Sequence, residues 1–239
     1  MSMVQEPLGA GFGALVEDVA LADLDAAAFR QLYALWQRQH LLVFRGHGLD
    51  REGLLAFGAR FGQVDPLPDL GAGETRWGVD LAWTERPPFG CLLHARQVPE
   101  SGGATWFACL PAALRLIAPD LQARLRWLAV QHGPNVHPMV IMQPETGEHS
   151  LFLGSRRESR ITDVPIAESE RLLNIAWSYG TAEAVTLCHP WQRGDIVLWN
   201  NLTVMHRHDA APAGTSRKLQ RARIQGRYTL AAPIEKEAA

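Results

Sequence analysis

The stretch "RWGVDLAW", residues 76–83, sets one carboxylate, Asp80, between the tryptophans Trp77 and Trp83. Far along the chain, "VLWNNLTVMHRHDA" carries His206 and, two residues on, His208, and "RKLQRARIQG" carries Arg217 and Arg221. Side chains alternate between the faces of a strand, so residues two or four apart share a face. His206 and His208 are therefore expected on one side of their strand, and Arg217 and Arg221 on one side of theirs. A guanidinium grips a carboxylate or sulfonate in a two-point fork, which suits small organic anions. Imidazole and carboxylate are also the donor types of first-row metal sites. Thr105, in "PESGGATWF", adds a hydroxyl. Singly, each residue has a plainer role. Asp80 fits a turn or cap, His206 a structural histidine, Thr105 an ordinary strand position, and Arg217 and Arg221 a solvated basic edge beside Lys218 and Arg223.

The elements that must position these groups follow from periodicity. Residues 22–38 place Leu24, Phe29, Leu32, Leu35 and Trp36 near one helical stripe, with Asp23 or Asp25 as N-cap. "HLLVFRG" reads as a buried strand, and "DREGLLAFGARFG" as a helix capped by Asp50 and stopped at Gly62. "QVDPLPDLGAGETR" is dense in Pro and Gly and reads as a loop. Strands are expected at 89–98 and around Thr105, then short helices at 111–117 and 119–128. "HPMVIM", "QPETGEH" and "SLFLG" form a hairpin pattern. The helix "AESERLLNIAWSYG" precedes the late strands "AVTLCH", "GDIVLWNN", "TVMHRHD" and "LQRARIQGRYTL". Early helices and late strands predict an α+β domain on an antiparallel double sheet.

The chain has 239 residues, 47% hydrophobic and 20% charged, enough apolar material for one sizeable core. No repeat or linker divides it, so one domain over 1–239 is expected, with the polar tail "EKEAA" fraying. A net charge of −2 gives no bulk attraction to nucleic acid or anionic membrane, which leaves small molecules as the expected partners. The three cysteines, Cys91, Cys109 and Cys188, form no CxxC pair and read as buried free thiols of a reducing compartment. "MSMVQEPLGAGFG" has no basic region followed by an apolar run, and no stretch reaches the ~20 apolar residues of a membrane span, so a cytoplasmic protein is expected.

Taken in order, "WGVDLAW", "PESGGATWF", "VLWNNLTVMHRHDA" and "RKLQRARIQG", with "HPMV…QPETGEHSLFLG" between them, resemble the taurine dioxygenase / 2,4-dichlorophenoxyacetate dioxygenase family of Fe(II)- and 2-oxoglutarate-dependent oxygenases. The likeness runs from "LLVFRGHGLD" to "RARIQG". It implies a double-stranded β-helix, or jelly roll, with flanking helices. It also implies that Asp80 and His206 are catalytic and hold Fe(II), that Thr105 and Arg217 bind the tail carboxylate of 2-oxoglutarate, and that Arg221 faces an anionic group of substrate or cosubstrate. Dioxygen and a small, anionic organic substrate are the implied partners, 2-oxoglutarate is oxidised to succinate and CO₂, and the family's habit is to form homo-oligomers. Gly78 stands where the family carries its first histidine ligand, and Asn200 where it usually carries Asp. His94 and His208 are candidate substitutes for the lost imidazole. The resemblance therefore implies a diverged oxygenase with an incomplete metal triad; the alternative is a repurposed member that binds 2-oxoglutarate or another small anion without iron chemistry.

Overall fold

The computed structural model describes residues 4–230, so the tail "EKEAA" lies outside the described residues. In chain order the strands and helices are β1 Val4–Pro7, β2 Ala14–Glu17, α1 Ala26–Gln39, β3 Leu41–Phe44, α2 Arg51–Ala59, β4 Val64–Leu70, β5 Gly90–Gln97 and β6 Thr105–Cys109. There follow α3 Leu110–Leu116, α4 Pro119–Leu125, β7 Ala129–His132, β8 Asn135–Pro138, β9 Val140–Met142, β10 His149–Leu151 and β11 Ser159–Ile161. The last are α5 Ile166–Gly180, β12 Thr186–His189, β13 Ile196–Asn200, β14 Val204–His208 and β15 Lys218–Ile224. Seven strands form one sheet in the order β1-β2-β3-β13-β5-β15-β4, and β12-β6-β14 form a second. The expected hairpin is present as β9 paired with β10, Val140 opposite Leu151.

Strand alternation explains the layers. Leu41 and Val43 of β3, Cys91, Leu93 and Ala95 of β5, Val197 and Trp199 of β13 and Leu219 of β15 cluster with Phe107, Cys109 and Val204 of the smaller sheet. Their neighbours of opposite parity, Leu42, Phe44, Leu92, Ile196, Leu198, Ala222 and Ile224, pack instead with Trp36 of α1 and Leu54 and Phe57 of α2. The large sheet thus has one face in the barrel interior and the other under helices: a double-stranded β-helix with flanking helices, as the sequence implies. Each fully buried Leu, Val, Ile or Phe among them contributes about 1.5–3 kcal/mol.

Three local expectations change. The Pro- and Gly-rich segment contains strand β4, because it runs along the edge of the large sheet beside β15, where a proline's missing N–H leaves no interior ladder bond unmade. Helix α1 starts only at Ala26: Asp25 Oδ1 accepts the Ala28 N–H at 2.8 Å, and Leu21–Asp23 form a separate 3₁₀ turn. Cys91 and Cys109 are buried, but Cys188 is exposed, since β12 is an edge strand.

Candidate active site

Gly78 and His206 face each other across an antiparallel bridge, Gly78 N–H donating to His206 O at 3.2 Å and His206 N–H to Gly78 O at 3.0 Å. What keeps position 78 a glycine is space. A Cβ there would lie 2.9 Å from the carbonyl oxygen of Gly154, and the neighbouring Val79 N–H already donates to Leu153 O at 3.3 Å. The 153–155 segment has closed over the ground a side chain at 78 would need.

Asp80 is held by its backbone. Its N–H donates to Asn201 Oδ1 at 2.8 Å, while Asn201 Nδ2 donates to Asp80 O and to Pro88 O, both at 3.0 Å. Asn201 is fully buried, so this amide clamp is shielded from water. Asn200, the departure visible in the sequence, instead accepts the Leu202 N–H at 3.0 Å.

The Asp80 carboxylate points at His206, with Oδ1 3.9 Å from Nε2. Its other oxygen accepts Arg223 Nε–H at 2.9 Å, lies 3.7 Å from Arg221 Nη2, and receives the Cys91 thiol at 3.7 Å. Burial pushes the Asp80 carboxyl up, but His206, Arg223 and Arg221 outweigh it and hold it below the usual carboxylate value. Burial lowers the His206 imidazole; Asp80 opposes this, and the two arginines reinforce it. Burial, then Asp80, raise the Cys91 thiol well above its ordinary value, so it stays a neutral donor.

Asp80 and His206 line a cavity of ≈ 200 Å³. Trp77, Trp83, Ser155, His208 and Arg221 also line it. Trp83 is 46% exposed, an apolar plate at the rim. Arg221 and Arg223 share the interior face of β15 with Leu219. Arg217 precedes that strand, whose register is irregular near Leu219, so strand alternation alone does not carry Arg217 to the side of Arg221; both guanidiniums nonetheless act on the His208 imidazole.

Thr105 and Arg217 lie away from the cavity lining, each occupied by the chain's own groups. Thr105 Oγ1 accepts Trp191 Nε1–H at 2.8 Å and is hydrogen-bonded to His208 Nδ1 at 2.7 Å. The Arg217 guanidinium donates to four carbonyls, those of Gly71, Gly73, Gly103 and Asp209, at 2.7–3.0 Å. Burial, with help from His206, Arg217 and Arg221, drives the His208 imidazole down to about 2, so it is neutral. His94 is remote from the site: its Nε2 bonds His47 O at 3.1 Å, beside a different cavity.

Asp80 and His206 supply two donors, and among the described residues no three His, Cys, Asp or Glu side chains are grouped to hold a metal. The residues fit a divalent ion attached at two protein points, with the third position open. Arg223, Cys91 and Asn201 were not singled out by the sequence; stepping two residues on from Arg221 reaches Arg223 by the same strand period.

Comparison with known proteins decides the ancestry. The model of the taurine catabolism dioxygenase TauD, TfdA family matches residues 5–223. The chain belongs to this family. Among its TauD/TfdA relatives is an (S)-phenoxypropionate/alpha-ketoglutarate-dioxygenase of Sphingobium herbicidovorans, 31% identical over 270 aligned residues that cover 92% of this chain and 94% of the relative. Another is the alpha-ketoglutarate-dependent 2,4-dichlorophenoxyacetate dioxygenase of Cupriavidus pinatubonensis, 26% identical, covering 93% and 97%. The TauD/TfdA fold is matched by the crystal structure of AAD-2 in complex with Mn(II) and N-oxalylglycine, TM-score 0.91 at 24% identity, covering 97% of this chain and all of that one.

Proposed function

We propose that this TauD/TfdA-family chain is an Fe(II)- and 2-oxoglutarate-dependent oxidoreductase, a dioxygenase that oxidises a C–H bond of a small organic anion. The observation that carries the reading is the meeting of Asp80 and His206, from remote parts of the chain, in the lining of one cavity with Arg221 and Trp83. The relatives' named substrates, phenoxypropionate and 2,4-dichlorophenoxyacetate, are aromatic carboxylates, and the cavity offers a guanidinium for the carboxylate and an indole for the ring. Asp80 and His206 would hold Fe(II), and Arg221 would orient the substrate anion. Thr105 and Arg217 would hold the cosubstrate tail, in exchange for their bonds to His208 and Trp191 and to the Gly71, Gly73, Gly103 and Asp209 carbonyls. When bound, Fe(II) supplies the dioxygen activation that couples decarboxylation of 2-oxoglutarate to substrate oxidation. Asn201 fixes the Asp80 backbone, and Trp77 and Trp83 limit water at the site. The reading is of one domain over 1–239, cytoplasmic, forming homo-oligomers and needing neither nucleic acid nor membrane; among the described residues no helix is long and apolar enough to cross a membrane.

A second reading, anion binding without oxygenase chemistry, is favoured by one observation: Arg223 occupies Asp80, while Thr105 and Arg217 are saturated internally. Incubation with Fe(II), 2-oxoglutarate, oxygen and a panel of aryloxyalkanoates separates the two. The oxygenase reading expects succinate in step with substrate oxidation, and a raised KM with little change in kcat for Arg221→Ala. A melting-temperature shift with the same anions but no succinate selects the binding protein.

A further inference from the structure

We infer that Arg223 is an internal counter-ion of Asp80 that competes electrostatically with a divalent metal for this carboxylate: its guanidinium holds Oδ2 and lowers the affinity for the ion of Oδ1, the oxygen that faces His206. The inference rests on the proposed metal role of Asp80 and His206 only for the location of the ion.

Four observations carry it. Arg223 reaches Asp80 Oδ2 through Nε–H at 2.9 Å, the shortest contact this carboxylate makes with a charged group. The pair is mostly withdrawn from water, with side-chain exposures of 18% and 19%, so it is weakly screened. Strand geometry imposes the approach: Arg223 sits opposite Cys91 in the β15–β5 register, on the interior face, and the Cys91 thiol also points at Asp80 Oδ2. Arg221 stands 3.7 Å from the same oxygen, so a dication bound here would be a third cationic centre around one carboxylate.

His206 fits the same picture. Its Nδ1 is buried and has no hydrogen-bond partner. Holding a metal through Nε2 requires the ring proton on Nδ1, where metal-bound histidines normally find an acceptor. With Nε2 protonated and facing Asp80, the buried Nδ1 carries only a lone pair. Gly78 removes one metal donor, and Arg223 supplies a positive charge to the carboxylate that remains. Asp80 thus has a cationic partner of the chain's own, with an arginine in the cation's role.

The test is Mn(II) affinity, measured by calorimetry and by the free-ion EPR signal, without 2-oxoglutarate or turnover. Arg223→Gln is expected to tighten Mn(II) binding about tenfold, the equivalent of ~1.4 kcal/mol of relieved repulsion between two cationic centres at one carboxylate. Arg223→Lys, which keeps the charge, is expected to stay near the unmodified chain, and Asp80→Asn combined with Arg223→Gln to lose the gain. Unchanged or weaker Mn(II) binding by a folded Arg223→Gln overturns the inference, as does a gain that survives Asp80→Asn. Should Arg223→Gln fail to fold, NMR of the unmodified chain decides. A protected Arg223 Nε–H resonance that weakens or shifts as Zn(II) binds supports the competition, and one left unchanged in the Zn(II)-bound protein refutes it. Neither measurement reads succinate, so failure of the oxygenase reading is a separate result.

Discussion

Replacing Gly78 with alanine or histidine asks whether the missing donor can simply be put back. A Cβ at 78 lies 2.9 Å from the Gly154 carbonyl oxygen and 3.3 Å from its carbonyl carbon, both backbone atoms that no side-chain rotation can clear. Nor does Gly154 have room on its other side, because a Cβ there would meet His132 Nδ1 at 2.6 Å and Ala82 Cβ at 2.8 Å. The two glycines form a close backbone crossing, pinned by the Val79–Leu153 hydrogen bond. Forcing a methyl into such a place costs about 1–3 kcal/mol. For a domain of this size each kcal/mol lowers Tm by about 2–4 °C, so Gly78→Ala is expected to melt about 2–12 °C lower. Gly78→His should show at least that loss and gain little Mn(II) affinity, since its imidazole starts from a Cβ aimed at the 153–155 backbone. Thermal and urea unfolding, with metal titration on the same samples, measure this. An unchanged Tm in Gly78→Ala, or a Gly78→His chain that binds Mn(II) tightly and melts no lower, would refute the steric argument.

Arg217→Ala should cost at least about 3 kcal/mol in urea unfolding, because it strips a charged donor from four carbonyls; a loss below ~1 kcal/mol would show that the network is not structural. Asn201→Ala, which releases both sides of the Asp80 peptide, should cost about 1–3 kcal/mol and weaken Mn(II) binding, whereas a destabilised variant with unchanged Mn(II) affinity would separate the clamp from the site. Stability should also fall with acid through His132, whose imidazole is driven by burial, then by His137, from 6.5 down to about 4. Its folded value is below its unfolded one, so the unfolded chain takes up the proton first, and stability present above pH 6.5 is lost as pH drops toward 4. Between pH 7 and pH 5 this amounts to about 2 kcal/mol, and a flat urea-unfolding free energy over that range would contradict it.

The jelly roll was legible through the resemblance carried by the ordered motifs, whereas the strands alone do not announce it: Leu41, Leu42, Val43 and Phe44 of β3 are all apolar, and only the fold sends Leu41 and Val43 to one face and Leu42 and Phe44 to the other. Strand β4 was hidden by Pro66 and Pro68, which argue against an interior strand and only become ordinary at a sheet edge. Asp80, His206 and Arg221 could be placed by their motifs, and the structure brings them to one cavity. Thr105 and Arg217 show the limit of that method. A motif names a residue type at a position but does not reveal that His208 and the Gly71–Gly73 turn compete for the same donors and acceptors, since those contacts join segments more than a hundred residues apart. Arg223 looked like part of a basic edge because its partner lies 143 residues away. Gly78 was visible as a departure, while its cause, the Gly154 carbonyl, is purely tertiary.

The most direct measurement is an anaerobic Fe(II) titration of the unmodified chain beside Asp80→Ala and His206→Ala, followed by succinate detection when oxygen and 2-oxoglutarate are admitted. A TauD/TfdA dioxygenase with two protein ligands predicts saturable Fe(II) binding that either substitution abolishes, and succinate only from the unmodified chain. Fe(II) binding indifferent to both substitutions, or no succinate from a chain that does hold Fe(II) at Asp80 and His206, would contradict it.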